Sequence, residues 1–101
     1  METIKRFDLS GRVAVITGGA GLLGKEHATV IAEAGGIPIL ADVRREDAQK
    51  AAQEVSEKFQ VPALGVGVDI TNKKEVEQLL EKLIEKVQRV DILINNAAND
   101  P

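Results

Sequence analysis

The segment Thr17-Gly18-Gly19-Ala20-Gly21-Leu22-Leu23-Gly24 is the part of the chain whose residue types and spacing most directly suggest chemistry. An apolar, strand-like run leads into it and a helix-like stretch leads out. Glycines at such a junction let the backbone turn sharply and approach a phosphate without side-chain collision. The helix start then offers unpaired N–H groups and the positive end of its dipole, and both favour an anion. A tight strand–helix turn also needs glycine, so the loop's placement carries the phosphate reading.

A carboxylate strengthens it. Asp42 closes the second apolar run, 18 residues after Gly24. There it can accept both hydroxyls of an adenosine ribose, and it would repel a 2′-phosphate, which favours NAD over NADP. Arg44 and Arg45 argue the other way if either turns back to a phosphate; otherwise they mark a solvated helix entrance. Asp69, in Val68-Asp69-Ile70-Thr71, ends the third run. Strand ends line the crevice of an open α/β sheet, so Asp69 can meet an adenine amino group or cap the following helix, and both readings stand. Asn95-Asn96-Ala97-Ala98-Asn99 brings small and amide residues to the end of the fourth run. They suit either a ribose and nicotinamide lying close to the backbone or an Asn-rich turn.

Other chemistries find little support. The chain of 101 residues has no Cys, Trp or Tyr and a single His, His27. Cysteine-ligated zinc, disulfides and a tyrosine acid/base are therefore excluded for the chain as it stands. His27 lies one turn past the glycine loop with no second His beside it, and reads as an ordinary helix position. Ser10 and Ser56 have no His or Asp at useful distance for a nucleophilic triad. No metal site and no catalytic residue is assigned. Thirteen basic residues against sixteen acidic ones give a net charge of -3, unlike a general nucleic-acid or anionic-membrane binder. No apolar run approaches the ~20 residues of a membrane span. The opening METIKRFDLSGR lacks the apolar stretch of a secretory signal, so a cytoplasmic protein is expected.

The elements that must position these residues alternate. Val13–Ile16, Ile37–Ala41, Leu64–Val68 and Ile92–Ile94 are short runs rich in β-branched residues and bounded by Gly, Pro, Asp or Asn. Three helical stretches separate them, which predicts an α/β fold with a parallel sheet and crossover helices. The first helix is expected from Leu22 to the Gly35-Gly36 stop, with Leu23, Ala28 and Ile31 inward. The second runs from about Glu46 to Phe59, with Ala48, Ala51, Ala52, Val55 and Phe59 on one face. The third carries a stripe of Val76, Leu79, Leu80, Leu83, Ile84 and Val87, too short for a coiled coil and suited to packing on the sheet. Thr71 or Asn72 can cap it, Asn72 with Glu75 resembling a capping box. Glu85 and Arg89 are expected to pair, and Asp91 to be a turn residue. Pro38 should sit among the first residues of its strand. Gly65 and Gly67 should permit close helix packing. One unit, residues 1–101, is expected, with no second domain.

Taken together, Leu9-Ser10-Gly11-Arg12, TGGAGLLG, Asp42, Val68-Asp69-Ile70-Thr71 and Asp91-Ile-Leu-Ile-Asn-Asn-Ala-Ala98 resemble the N-terminal portion of the short-chain dehydrogenase/reductase family. The resemblance covers essentially the whole chain. It implies a partial Rossmann-like sheet in the order 3-2-1-4 and an NAD(P)-dependent oxidoreductase. By position, Gly18, Gly21, Leu22, Leu23 and Gly24 would hold the pyrophosphate. Asp42 would bind the adenosine ribose, Asp69 and Ile70 would flank adenine, and Asn96 and Ala97 would border the ribose on the nicotinamide side. The family's catalytic Ser, Tyr-x-x-x-Lys pair and assisting Asn fall later than this sequence reaches. As it stands the chain is thus expected to bind without catalysing. Gly18, Gly21 and Gly24 are spaced as in the family's extended, nucleotide-sugar branch, which leaves an epimerase-like relative as an alternative. A non-catalytic nucleotide-binding or self-assembling module is another. The order 3-2-1-4 would leave Ile92, Leu93 and Ile94 on an open edge with two helices on one face and one on the other, and self-association is expected.

Overall fold

The computed structural model of the chain describes residues 8–96. It contains four strands, β1 (Val13–Thr17), β2 (Ile37–Asp42), β3 (Leu64–Gly67) and β4 (Ile92–Asn95). Three helices connect them, α1 (Leu22–Glu33), α2 (Arg45–Phe59) and α3 (Lys73–Val87). The strands form one sheet in the order β3-β2-β1-β4, every pair parallel. Val15 lies opposite both Ile39 and Leu93, and Leu40 opposite Gly65. This is the α/β architecture and strand order that the sequence predicts.

Side chains alternate between the sheet's two faces. Ile16 and Leu40 face one way and form a core with Ala28 and Ala32 of α1 and Ala48, Ala51, Ala52 and Val55 of α2. Val13, Val15, Ile39 and Ala41 face the other way, against Leu83 of α3 and Val68. Two helices therefore cover one face and one covers the other, as expected. The alanines of α2 and the glycines of β3 allow unusually close approach. A Cβ on Gly65 would come within 2.4 Å of the Ala48 backbone, so α2 lies directly on β3. Pro38 is the second residue of β2 and is fully buried. Ile37 N–H donates to Arg12 O at 2.8 Å, so by alternation the nitrogen of Pro38 faces the β3 side, ahead of the point where β3 begins.

One helix end is as expected, and two others explain departures from expectation. Gly35, at φ 89°, ends α1 in the left-handed conformation that glycine adopts freely. Asn72 caps α3 by accepting from Glu75 N–H at 3.1 Å, but the Glu75 carboxylate accepts from Asp69 N–H, not from the cap, so the box is displaced. Gln88, at φ 67°, ends α3 before Arg89. Arg89 therefore lies outside the helix and pairs with Asp91, not with Glu85. Leu23 is not inward either: it is 56% exposed, and Gly24 occupies the buried position of that turn. In the stripe of α3 only Leu83 is fully buried, while Leu80 and Ile84 are exposed. No helix among the described residues is long and apolar enough to cross a membrane.

Candidate functional site

The described candidate residues lie along the C-terminal edge of the sheet, at the loops after β1, β2 and β3 and at the end of β4. The glycine loop is fastened to the end of β2 at two points. Gly19 N–H donates to Ala41 O at 3.1 Å, and Ala20 N–H donates to Asp42 Oδ2 at 3.1 Å. Gly18 has φ 67°, which a side chain resists. Gly24 must be glycine because a Cβ there would lie 2.3 Å from Gly18 O, so helix and loop touch backbone to backbone.

Gly21 is different. It caps α1 with φ -78° and ψ 170°, ordinary extended backbone, and a Cβ there would meet nothing closer than Gly18 O at 3.5 Å. The fold does not require glycine at this position. The start of α1 is also open in a way the other helix starts are not. No side chain caps it and its first turn holds no acid. By contrast, α2 carries Glu46 and Asp47 in its first turn, and α3 has Asn72 and Glu75. The start of α1 thus has neither a side-chain cap nor a first-turn acid, and a helix start of that kind suits an anion. Leu22, 81% exposed, stands beside it.

Asp42 is nearly covered, its side chain 10% exposed. Besides Ala20 N–H it accepts from Arg44 N–H at 3.0 Å, and the Arg44 Nε lies 3.7 Å from Oδ1. Two N–H bonds leave about half of the carboxylate's four acceptor positions unused by backbone donors. Arg45 turns elsewhere, its methylenes lying over Gly67. Asp69 forms a turn: Oδ1 accepts from Thr71 N–H at 3.0 Å and from the Thr71 hydroxyl at 2.6 Å. That hydroxyl, then the backbone bond, hold its carboxyl below the usual range. Asp69 thus builds a turn ahead of α3 and is not its cap, which is Asn72, and the adjacent Ile70 is exposed.

The fourth strand joins through a residue that the sequence reading passed over. Thr17 is buried, and its hydroxyl shares its proton between Ile94 O at 3.3 Å and Asn95 Oδ1 at 3.1 Å while accepting from Asn96 N–H at 3.0 Å. Asn96 Nδ2 reaches Gly18 O at 3.4 Å, which ties the end of β4 to the glycine loop. A β-branched hydroxyl ending a buried strand is the signal that marks Thr17. Ala97 lies outside the described residues. His27 is half-buried on α1, and no metal-binding cluster occurs among the described residues. A groove of about 440 Å³ runs along β3, lined by Arg45, Gly67, Glu75 and Leu79, away from the glycine loop.

Comparison with known proteins adds a decisive match: the short chain dehydrogenase model aligns with residues 12–100. The chain belongs to the short-chain dehydrogenase family. It is 40% identical over 90 residues to a short chain dehydrogenase/reductase of Gibberella zeae, an alignment covering 89% of this chain and 33% of that protein. Among solved structures, it resembles L-sorbose reductase of Gluconobacter frateurii complexed with NADPH and L-sorbose. The TM-score is 0.88 and the identity 33%, over 94% of this chain and 36% of that one. An NAD+-bound xylitol dehydrogenase gives a TM-score of 0.77 and 28% identity, over 84% and 32%. The chain spans about a third of the length of these short-chain dehydrogenase relatives. Their Rossmann-like fold is the one described above.

Proposed function

We propose that the chain is the dinucleotide-binding portion of an oxidoreductase that moves hydride between a nicotinamide cofactor and an alcohol or carbonyl substrate. The observation that carries this reading is Gly21, a glycine that the fold does not need, at an uncapped and acid-free helix start. Space left by a missing Cβ there is space for a pyrophosphate. Gly18, Gly21 and Gly24, with the backbone of Leu22 and Leu23, are assigned to it. Asp42 is assigned to the adenosine ribose, Asp69 and Ile70 to the surroundings of adenine, and Asn96 and Ala97 to the nicotinamide side. The bound cofactor would accept or donate hydride. The protein's part is to neutralise phosphate charge with fixed N–H groups and to orient the two riboses along the sheet edge. With no Tyr to act as an acid/base, the part assigned to this chain is binding. The dehydrogenase and reductase names of the relatives favour hydride transfer over epimerisation.

NAD is the proposed cofactor over NADP, because a nearly buried carboxylate at Asp42 repels a 2′-phosphate. The structural relatives hold one cofactor of each kind, NAD+ in one and NADPH in the other. Arg44, beside Asp42, is the group that could shift the balance. The partner proposed besides the cofactor is a second copy of the chain, through the open β4 edge where Leu93 is 68% exposed.

Calorimetric titration with NAD, NADP and ADP-ribose tests the reading. NAD and ADP-ribose should bind, NADP more weakly. Gly21→Val should weaken binding at least tenfold with the helical circular dichroism unchanged. Equal NAD affinity in Gly21→Val would sink the pyrophosphate assignment, and tighter NADP than NAD would reverse the use of Asp42.

A further inference from the structure

Asp42 has two backbone partners before any ligand arrives. Oδ2 accepts from Ala20 at the tip of the glycine loop, at 3.1 Å, and Oδ1 accepts from Arg44 at the entrance to α2, at 3.0 Å. Its side chain is 10% exposed; the bond from Ala20 is partly buried, where water competes less, while the bond from Arg44 is exposed. The loop's other links to the sheet, Gly19 N–H to Ala41 O and Asn96 Nδ2 to Gly18 O, hold residues before the tip. Gly19 packs backbone-close on β2, since a Cβ there would lie 2.6 Å from Leu40 Cβ. Gly21 N–H closes back on Gly18 O at 3.2 Å within the loop, so the link from Ala20 to Asp42 is the bond that ties the tip itself to the sheet.

We infer that Asp42 is a positioning residue for the phosphate loop, in addition to its proposed contact with the ribose. The inference rests on the nucleotide-binding reading for its ligand but on the free protein for its geometry. A carboxylate has about four acceptor positions, and two N–H bonds leave two for a diol, so the roles coexist. One consequence is specific to this chain. Replacing Asp42 by a small neutral residue does not simply admit a 2′-phosphate. It also releases the loop, and affinity falls for every ligand that carries a pyrophosphate.

Two measurements test this. In the ligand-free protein, the Ala20 amide should exchange with solvent slowly in wild type and at least tenfold faster in Asp42→Ala, while Ile39 and Leu40 in β2 keep their protection. Unchanged exchange at Ala20 overturns the inference whatever the protein binds. The second probe is 2′,3′-dideoxy-ADP, which has the pyrophosphate but no diol. If Asp42 only held the ribose, Asp42→Ala would weaken ADP and leave the dideoxy compound alone, and that result also overturns the inference. Positioning predicts a loss of about tenfold or more for both. Asp42→Asn, which keeps the shape but can accept only one of the two N–H bonds, serves if the alanine variant does not fold. If wild type binds neither nucleotide, the function proposed above fails, and the exchange measurement still decides the role of Asp42.

Discussion

Asp91 clamps the end of the sheet remote from the glycine loop. Oδ2 accepts from Val13 N–H at 2.9 Å, Asp91 N–H returns a bond to Val13 O at 2.9 Å, and the Arg89 guanidinium meets both carboxylate oxygens. The Arg89 bonds, then the Val13 N–H, hold the Asp91 carboxyl below its ordinary range. A carboxylate with a lowered folded pKa contributes stability above its unfolded pKa, about 3.9, and that contribution is lost as pH falls through the folded value. Denaturation by urea should therefore show Asp91→Asn less stable than wild type at pH 6, with the gap closing below about pH 4. A gap constant down to pH 2 would mean that the carboxylate's charge contributes nothing. None of this was legible in the sequence, where Asp91 reads as a turn residue and Arg89 as a partner of Glu85. The acceptor's true partner is 78 residues away. The loop tether of Asp42 is hidden for the same reason, while its place at a strand end is plain from the apolar run before it.

Elements were far more legible than contacts. Runs of β-branched residues located all four strands within a residue at each end, and the alanine stripe of α2 announced its buried face. Leu23 misled because its neighbour Gly24 takes the inward position: the loop and α1 touch through backbone, and periodicity does not report backbone contacts. The glycines divide accordingly. Gly65→Ala would force a Cβ to within 2.4 Å of the Ala48 backbone, so α2 must lift from β3, at a cost of about 1–3 kcal/mol. Gly21→Ala should cost under about 1 kcal/mol, since its backbone is extended and the space is open. Thermal unfolding of the two variants checks the contrast, and the idea that Gly21 is kept for a ligand fails if Gly21→Ala is the more damaging.

For the whole molecule, the unequal cover of the sheet is the controlling feature. Leu93 on β4, and Leu80 and Ile84 on α3, are exposed, and β4 is an edge strand. Edges of this kind pair with another chain unless charged or covered. Sedimentation of the 101-residue chain is expected to depend on concentration, and Leu93→Lys should shift it toward the monomer. A sedimentation coefficient that stays monomeric across the accessible concentrations would remove self-association from the proposal.

The position of β1 in the sheet also has a consequence in time. Its partner on one side, β2, follows soon after it in the chain, but the hydrogen bond from Val13 to Asp91 spans 78 residues. At the usual ~5–20 residues per second, a nascent chain spends roughly 4–16 s with β1 made and β4 not yet synthesised. During that interval the most buried strand of the finished sheet is an unprotected edge. At that stage the growing chain is open to pairing with another chain along β1.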